Sequence, residues 1–413
     1  MKFLPTTKEE MENLGWDSID VLLISGDTYL DTSYNGSALI GKWLVEHGFK
    51  VGIIAQPEVD VPDDITRLGE PNLFFAVSGG CVDSMVANYT ATKKRRQQDD
   101  FTPGGVNNKR PDRAVLVYSN MIRRFFKGTT KKIVISGIES SLRRITHYDY
   151  WTNKLRKPIL FDAKADILSY GMGEMSMLQL ANALKNDEDW KNIRGLCYLS
   201  KEIKEDYLSL PSHSECLADK DKFIEAFHTF YLNCDPITAK GLSQKCDDRY
   251  LIQNPPSESY SEEIMDKIYS MEFARDVHPY YKKMGTVRAL DTIKYSVTTH
   301  RGCYGECNFR AIAIHQGRTI MSRSQSSIVE VKNIAKMPKF HGNISDVGGP
   351  TANMYGLECK KKLKLGACSD RRCLYPKKCP HLQVNHNNQV ELLKKLKKIP
   401  NIKKIFIASG IRY

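Results

Sequence analysis

Near its beginning the chain alternates between apolar runs and a segment with helical spacing. Residues 20–25, in "DVLLIS", form a short apolar run that ends before Gly26. Residues 37–47 have apolar positions at helical spacing, Gly48 stands at a C-cap position, and residues 51–55 form a second apolar run. The pattern predicts one βαβ unit of a parallel sheet with a right-handed crossover.

Further apolar runs continue this rhythm. Helical stretches separate most of them, so residues 1–200 predict an α/β domain of the Rossmann-like, doubly wound type. The polar segment at residues 93–113 predicts a long loop, and residues 201–285 predict a mostly helical bridge. The additional strands are predicted at 72–77, 114–117, 132–136 and 167–170.

A second α/β pattern occupies residues 286–413. "IKYSVTTHRG" and "GNISDVGGP" predict strands that end in glycine, and "SSIVEVKNIAKM" and "QVELLKKLKKI" predict helices. The last run, "IFIAS", is apolar enough for a parallel strand that is buried on both faces. Such a strand normally has a covering helix and another strand after it, so we expect this domain to be truncated.

The composition is that of a globular protein, with 413 residues, 41% hydrophobic and 26% charged. No apolar run approaches the roughly 20 residues of a membrane span, and the first residues lack the apolar stretch of a signal peptide. These features predict a cytoplasmic protein without a membrane partner.

The positive charge is concentrated near the end of the chain. The formal net charge is +13, and residues 358–413 contain 15 Lys and Arg against 3 Asp and Glu. That segment therefore carries +12, which leaves +1 for the preceding 357 residues. Such an excess is typical either of a solvated face or insertion or of a surface that binds an anionic partner such as nucleic acid.

Six of the 11 cysteines lie between Cys303 and Cys379, and such clustering indicates metal or redox chemistry more than disulfides in a cytosolic chain. "HRGCYGECNFRAIAIHQGR" places Cys303 and Cys307 in a loop directly after a strand, where parallel sheets bind ligands. Arg310 stands where a third cysteine would complete a triplet. From spacing alone the segment is a metal site, a metal site that has lost a ligand, or two ordinary thiols.

A second cysteine group lies in a Cys-rich basic insertion at about residues 358–384. Four thiols suit zinc or an auxiliary iron–sulfur cluster, and the surrounding Lys and Arg are expected to favour thiolates. The separations of 9, 5 and 6 lack the tight Cys-x-x-Cys pairs of common zinc sites, so free thiols are the alternative. The group consists of Cys359, Cys368, Cys373 and Cys379.

These motifs resemble a known family. "YSVTTHRGCYGECNFRAIAIHQGR" is similar to the cluster loop of radical S-adenosylmethionine (SAM) enzymes, whose signature is C-x3-C-x-(aromatic)-C. Cys303, Cys307 and Phe309 match it, and Arg310 occupies the third cysteine position. A resemblance to the YgiQ-type branch covers nearly the whole chain and rests on "SGDTYLDTSYNG", "KRPDRAVLVYSN", "GIESSLRRITHYDYW", "KADILSYGMGE" and "DVGGPTANMYG".

The resemblance implies that residues 286–413 form the first part of a radical SAM (β/α) partial barrel. It also implies a [4Fe–4S] cluster on three cysteines, with SAM on the open iron. SAM would be cleaved reductively to a 5′-deoxyadenosyl radical, with electrons from a donor such as flavodoxin or ferredoxin. Phe309 would lie beside the adenine, and Gly348 and Gly349, with Asp346 nearby, would approach the methionine end. The resemblance assigns neither a substrate nor catalytic residues.

Arg310 departs from the family pattern. A guanidinium has no lone pair for iron, so two cysteines are expected to hold the cluster weakly or not at all. An engineered ligand change, a decayed or truncated gene and a sequence error would each explain this residue.

The N-terminal domain resembles the cobalamin-binding fold that precedes many radical enzymes. In that fold an Asp-x-His-x-x-Gly loop often supplies the histidine that coordinates cobalt. "DTSYNG" provides Asp31 and Gly36 but no histidine, which excludes histidine ligation of cobalt at this loop. A nonbinding Rossmann-like scaffold is therefore expected, and cobalamin bound without that ligand is the alternative. A later stretch fits either the polar wall of a pocket or interdomain ion pairs with aromatic packing. It contains Glu139, Arg143, Arg144, His147, Tyr148, Asp149 and Trp151.

The alternative function is a metal-stapled, basic nucleic-acid-binding module in residues 358–413. If this module exists, its affinity for an oligonucleotide will fall steeply with added salt, because contacts between Lys and phosphate release counterions. Deletion of residues 358–384 will abolish this affinity, which titrations at two salt concentrations measure. Binding that survives the deletion would contradict the alternative.

Overall fold

The protein is α/β, and its computed structural model divides into two compact units. The structure describes residues 1–307, 310–350, 354–382 and 384–408. The first unit contains Met1–Asn233, Ala239–Ser257 and Asp276–Ala289. The second unit contains Cys234–Thr238, Glu258–Arg275 and the chain from Leu290 onward.

The strands of the first unit form one nine-stranded sheet and a separate hairpin. They are β1 (Val21–Ser25), β2 (Val51–Ala55), β3 (Phe74–Ser78), β4 (Lys132–Ser136), β5 (His147–Asp149), β6 (Lys154–Arg156), β7 (Ile167–Ser169), β8 (Leu196–Ser200), β9 (Leu208–Leu210), β10 (Leu242–Cys246) and β11 (Arg249–Gln253). The order in the sheet is β2-β1-β3-β4-β7-β8-β11-β10-β9, and β5 pairs with β6.

The apolar runs correctly predict the parallel part of this sheet. β2, β1, β3, β4 and β7 are parallel neighbours, and Ile24 of β1 pairs with Ile54 of β2 and Val77 of β3. Every residue of β1 and β2 is buried, as expected for strands covered on both faces. The strand order reverses between β1 and β3, which is the switch point of a doubly wound sheet.

Helices follow most of these strands. The longer ones are Gly36–Glu46, Ala114–Phe125, Glu174–Lys185 and Lys220–Leu232. The shorter ones are Lys8–Asn13, Pro62–Thr66, Ser84–Asn88, Gly137–Leu142, Ile159–Ala163, His213–Ala218 and Pro279–Lys282.

The strand predicted at 114–117 is wrong, because these residues begin the helix Ala114–Phe125. The buried side chains of this helix include Val115, Tyr118 and Ile122, which lie three or four residues apart on one face. Four consecutive apolar residues do not distinguish a buried strand from the start of a helix.

The segment 201–285 is mixed rather than mostly helical. Besides Lys220–Leu232 and a second helix at Glu262–Ser270, it supplies β9, β10 and β11 to the sheet. β10 and β11 form an antiparallel hairpin with the polar residues Gln244 and Gln253 at buried positions. Buried polar residues weaken the apolar alternation that reveals a strand, so the sequence pattern missed this hairpin.

The predicted loop 93–113 contains one short 3-10 turn, Pro103–Gly105, and it is anchored by Arg110. The Arg110 side chain is fully buried, 2.6 Å from a carboxylate oxygen of Asp27 and 3.0 Å from one of Asp99. It also donates to the carbonyl oxygen of Gly79 at 3.1 Å. Because Asp27 and Gly79 follow β1 and β3, the loop fills the space at the switch point with its own ion pairs.

The second unit is built from short strands. They are β12 (Ser296–Thr298), β13 (His300–Arg301), β14 (Met321–Ser322), β15 (Asn343–Ile344), β16 (Asp346–Gly348) and β17 (Lys404–Ile405). β12 pairs with β16 and β15 with β17 in parallel, whereas β13 and β14 are antiparallel. The helices here are Glu262–Ser270, Ile312–His315, Val331–Ala335, Lys360–Leu365 and Asn387–Lys397, and Ala289–Ile293 begins at the boundary of the units.

The helices and strands predicted in residues 286–405 are largely confirmed, and they enclose a core that includes Val297, Ile334, Val347 and Leu392. The burial expected for the last strand is not found, because Phe406, directly after β17, is 50% exposed. β17 has only two residues, Lys404 and Ile405, and it pairs with β15 in a two-stranded sheet.

Among the described residues, no helix is both long and apolar enough to cross a membrane.

Replacement of Arg110 by Met is expected to lower the free energy of unfolding by about 3–5 kcal/mol, because it leaves two buried carboxylates without their cation. Arg124→Met is the matched control, since the Arg124–Asp60 pair is exposed and should contribute less than about 1 kcal/mol. Urea unfolding followed by circular dichroism measures both losses. Equal losses in the two variants would contradict a stabilising role for the buried network.

Candidate metal and cofactor site

Two parallel strands of the second unit bring the predicted cysteine loop and glycine pair to one edge. Thr298, the last residue of β12, pairs with Gly348, the last residue of β16. The next N–H, that of Thr299, donates to the carbonyl oxygen of Gly348 at 2.7 Å. The cysteine loop and Gly349 therefore both begin at the carboxyl end of this strand pair, where parallel sheets place ligands.

His300 lies between these two segments and was missed by the sequence reading. Its ring is buried and forms a hydrogen bond of 2.9 Å between Nδ1 and the Thr299 hydroxyl. A Cβ on Gly349 would lie 2.4 Å from Nε2 of His300, so the absence of a side chain at 349 permits this close packing. His300 stands three residues before Cys303, and this position is the sequence signal that could have identified it as part of the site.

The cysteine loop is held by backbone hydrogen bonds. The Cys303 N–H donates to the carbonyl oxygen of Gly317 at 3.1 Å, and the Gly305 N–H donates to the Cys303 sulfur at 3.3 Å. Cys303 is buried and Cys307 is half-buried. Arg310 is exposed, and its N–H donates to the Cys307 carbonyl oxygen at 3.0 Å. The predicted adenine neighbour, Phe309, lies outside the described residues.

Two buried ion pairs support the loop, and neither was predicted. Glu306, between the two cysteines, lies 2.9 Å from the Arg318 guanidinium. Lys362 lies 2.7 Å from a carboxylate oxygen of Glu358 and also donates to the Arg318 carbonyl oxygen at 2.6 Å. These contacts connect the cysteine loop to the helix Lys360–Leu365 of the Cys-rich insertion.

The structure brings the two predicted cysteine groups together. Cys303 and Cys359 belong to one buried cluster with Tyr304, Ile320, Met354 and Leu382, and the partly buried Cys373 and Cys379 pack against it. Cys307 and Cys368 are half-buried, and among the described residues they do not belong to this cluster. Within the described ranges, no three His, Cys, Asp or Glu side chains are positioned to hold a metal ion.

Burial has the largest effect on the pKa of the Cys373 thiol. It raises the pKa of this thiol to about 11, although the nearby Lys362 ammonium acts in the opposite direction. The expectation that surrounding Lys and Arg favour thiolates is therefore wrong for Cys373, because desolvation outweighs the neighbouring charge.

Asp346 lies at the other end of its strand from the glycine pair. It pairs with Ser296 at the amino end of β12, and its carboxylate accepts the N–H of Ala408 at 2.8 Å. Burial raises the pKa of Asp346. Its side chain thus joins the start of β16 to the segment after β17.

In the first unit, residues of the "DTSYNG" loop, which was compared with a cobalamin-binding motif, form contacts within the protein. Asp31 is buried, 2.9 Å from the Lys42 ammonium, and accepts the Tyr29 hydroxyl at 3.0 Å. Gly36 is the first residue of the helix Gly36–Glu46, which Asn35 caps.

The charged and aromatic stretch from Glu139 to Trp151 forms ion pairs and ring contacts within the first unit. Glu139 is buried and accepts the N–H of Ser84 at 2.9 Å, and burial raises its pKa. Asp149 pairs with Arg113 at 2.8 Å. Further contacts join Arg143 to Asp83 and place Arg144 4.3 Å from the ring centres of both Tyr170 and Phe230. Burial also lowers the pKa of His147 to about 4.

Comparison with known proteins identifies the relatives of the chain. A family model described as "Radical SAM N-terminal" matches residues 3–296. A UPF0313 protein of Fusobacterium nucleatum is 96% identical over 414 residues, which cover 100% of this chain and 73% of the relative. A UPF0313 protein of Thermotoga neapolitana is 48% identical with the same two shares. One from Clostridium botulinum is 46% identical and is covered over 65% of its length.

Solved structures of two proteins show weaker likenesses. One is the radical SAM methyltransferase TsrM of Kitasatospora setae, in a form with tryptophan and a SAM analogue, and another form contains cobalamin and a [4Fe–4S] cluster. The first form has a TM-score of 0.42 and 14% identity, covering 76% of this chain and 45% of TsrM. The cobalamin-dependent enzyme OxsB has a TM-score of 0.40 and 13% identity, covering 87% of this chain and 37% of OxsB.

Gly302 precedes Cys303 and is expected to tolerate no side chain. Its φ is +83°, and a Cβ would lie 2.0 Å from the Thr319 carbonyl oxygen. Gly317 is the matched control, since its φ is +90° with open space around it. Gly317→Ala should cost about 1 kcal/mol of unfolding free energy and Gly302→Ala at least about twice that, because the backbone must also move. Urea unfolding measures both, and equal costs would contradict the close approach.

Proposed function

Because the chain belongs to the UPF0313 (YgiQ-type) family of radical SAM proteins, we propose that its second unit carries the cluster- and SAM-binding part of such a protein. The substrate is left unassigned. We further propose that Arg310 impairs cluster binding in this chain.

The placement of the predicted residues supports this proposal. Cys303 and Cys307 come after β12 and the short strand β13, Gly348 ends the strand β16 parallel to β12, and Gly349 follows it. Ligands of parallel α/β sheets bind at this edge because loops and strand ends converge there. Gly349 has no side chain, and the buried His300 ring packs where its Cβ would lie.

The donors do not complete a [4Fe–4S] site. Such a cluster requires three thiolates here, and the loop offers Cys303 and Cys307. Arg310 is exposed and its guanidinium has no free electron pair for iron.

The basic end of the chain supports the alternative function, a nucleic-acid-binding module. Many of its cationic side chains are exposed, and the ion pair of Arg371 with Asp370 is itself at the surface. The exposed lysines include Lys360, Lys361, Lys364, Lys377, Lys378, Lys394, Lys395, Lys397 and Lys398. Phosphate contacts by such residues would carry little sequence specificity.

Arg310→Cys is expected to bind a [4Fe–4S] cluster after anaerobic reconstitution with iron and sulfide, because it restores the third thiolate. The measurements are iron and acid-labile sulfide per chain and the visible absorption spectrum. Arg310→Ala is the control, since it removes the guanidinium without adding a thiol. It should resemble the original chain.

Three outcomes would change this proposal. An equal cluster content in the original chain and in Arg310→Cys would show that Arg310 is not the lesion. If Cys373→Ser then removed that cluster, the Cys-rich insertion would be its site. Absence of a cluster from all three chains would contradict the proposal that the second unit retains the remaining parts of the site.

A further inference from the structure

One surface of the first unit combines a run of cations with exposed aromatic rings. The cations come from the 93–113 loop, and the rings come from the β5–β6 hairpin and the segment after helix Ser84–Asn88. We call it the aromatic–basic surface, and it consists of Tyr89, Lys93, Lys94, Arg95, Arg96, Tyr148, Tyr150 and Trp151. It belongs to the first unit, whereas the cysteine loop and the basic end of the chain belong to the second unit.

The rings of Tyr89, Trp151 and Tyr150 form a connected group at the surface, in which Tyr89 and Trp151 are half-buried. Tyr148 is 50% exposed and Tyr150 is 48% exposed. Trp151 lies between its neighbours, with its ring centre 5.4 Å from that of Tyr150 and 5.4 Å from that of Tyr89. Large aromatic side chains normally contribute to a core, so their exposure in one group indicates contact with a partner.

The cations lie against these rings. The Lys93 ammonium is 4.7 Å from the ring centre of Tyr150, and the Arg95 guanidinium is 5.8 Å from that of Tyr89. Both distances allow cation–π attraction, which keeps the charges beside the rings.

The loop and the hairpin are joined by hydrogen bonds, so the surface is organised without a partner. The Tyr150 hydroxyl donates to the carbonyl oxygen of Ala91 at 2.7 Å, and the Lys93 ammonium donates to that of Trp151 at 3.3 Å. Within the loop, the Thr90 N–H donates to the Lys94 carbonyl oxygen at 2.8 Å. A preformed surface loses little conformational entropy when it binds.

The charge of the surface is largely uncompensated. Arg95 lies 3.7 Å from Asp112, whose other oxygen accepts the Tyr89 hydroxyl. In the part of the chain that the structure describes, no carboxylate lies within 4 Å of the side-chain nitrogens of Lys93, Lys94 or Arg96. Four cations against one carboxylate favour a polyanionic partner.

We propose that the aromatic–basic surface binds single-stranded nucleic acid. Clustered cations recognise the phosphate backbone, and exposed rings stack with bases, which is the combination used by sequence-tolerant single-strand binders. A duplex would satisfy the cations but not the rings, because its bases are already stacked. An acidic peptide would also satisfy only the cations.

The test is a fluorescence titration of the full, metal-free chain with a 12-residue oligouridylate at several salt concentrations. Trp151 serves as the probe, because base stacking on this ring should quench its emission. Trp151→Phe should lose that quenching while circular dichroism remains unchanged. Tyr150→Ala should weaken the affinity by about 10-fold, since stacking on one ring is worth about 1–3 kcal/mol.

Two charge-matched triple variants locate the contacts. The first neutralises the proposed surface and the second neutralises the end of the chain; they are Lys93→Gln/Lys94→Gln/Arg96→Gln and Lys394→Gln/Lys397→Gln/Lys398→Gln. The first should weaken binding at least about 10-fold and reduce the salt slope by about 2, since each phosphate contact on a single strand contributes about 0.7. The second should change neither.

Several results would overturn the proposal. A loss of binding in the second triple variant but not in the first would favour the basic end of the chain. Equal affinity for duplex RNA or for a polyglutamate peptide of the same charge would exclude base stacking. No binding of the oligonucleotide at low salt would refute the proposal outright. The triple variants and Tyr150→Ala change exposed residues, whereas Trp151 is half-buried, so a urea midpoint is measured for each variant. Midpoints near that of the original chain would show that these results do not reflect misfolding.

Discussion

Parallel strand pairing is the constraint on which the rest of this molecule depends. Two parallel neighbours present their carboxyl ends at the same edge, so the segments that follow them meet whatever their distance along the chain. In the first unit this brings Asp27 and Gly79 together after β1 and β3. In the second unit it brings the Cys303 loop and Gly349 together after β12 and β16.

The two edges are used differently. After β1 and β3, Arg110 occupies the available space, and its guanidinium is satisfied by two carboxylates and a backbone carbonyl. A Cβ on Gly26 would lie only 2.1 Å from the Gly79 carbonyl oxygen, so the backbone segments themselves are in close approach there. After β12 and β16 the neighbours are thiols, glycine and a buried imidazole. The first edge is therefore suited to stabilise its unit, and the second is the edge at which we propose ligand binding.

The cysteine site illustrates how a ligand set depends on electron pairs rather than on position. Arg310 occupies the third ligand position in the chain, and its N–H donates to the Cys307 carbonyl oxygen, yet its side chain has no electron pair to donate to iron. Protonation is a second constraint on the thiols of the buried cluster, which are those of Cys303, Cys359, Cys373 and Cys379. Burial raises the pKa of Cys373 to about 11, so in the absence of a metal this thiol stays protonated at neutral pH.

The sequence by itself determined the features that depend on neighbouring residues. Apolar runs predicted β1 to β4, and the spacing of 37–47 predicted the helix after β1. The Cys303–Cys307 spacing predicted a metal-binding loop with Arg310 at the third ligand position. Periodicity is local, so it can be read without the fold.

The tertiary structure decided what depends on distant residues. In the fold, residues 114–117 begin a helix, and the strands β10 and β11, which contain buried polar residues, pair within the sheet. Packing and strand pairing outweigh local preference at these positions. The tertiary structure also placed Cys359 beside Cys303 and the cations of the 93–113 loop beside Tyr150. No local pattern encodes such contacts, since their energy comes from burial and charge between segments that only the complete fold brings together.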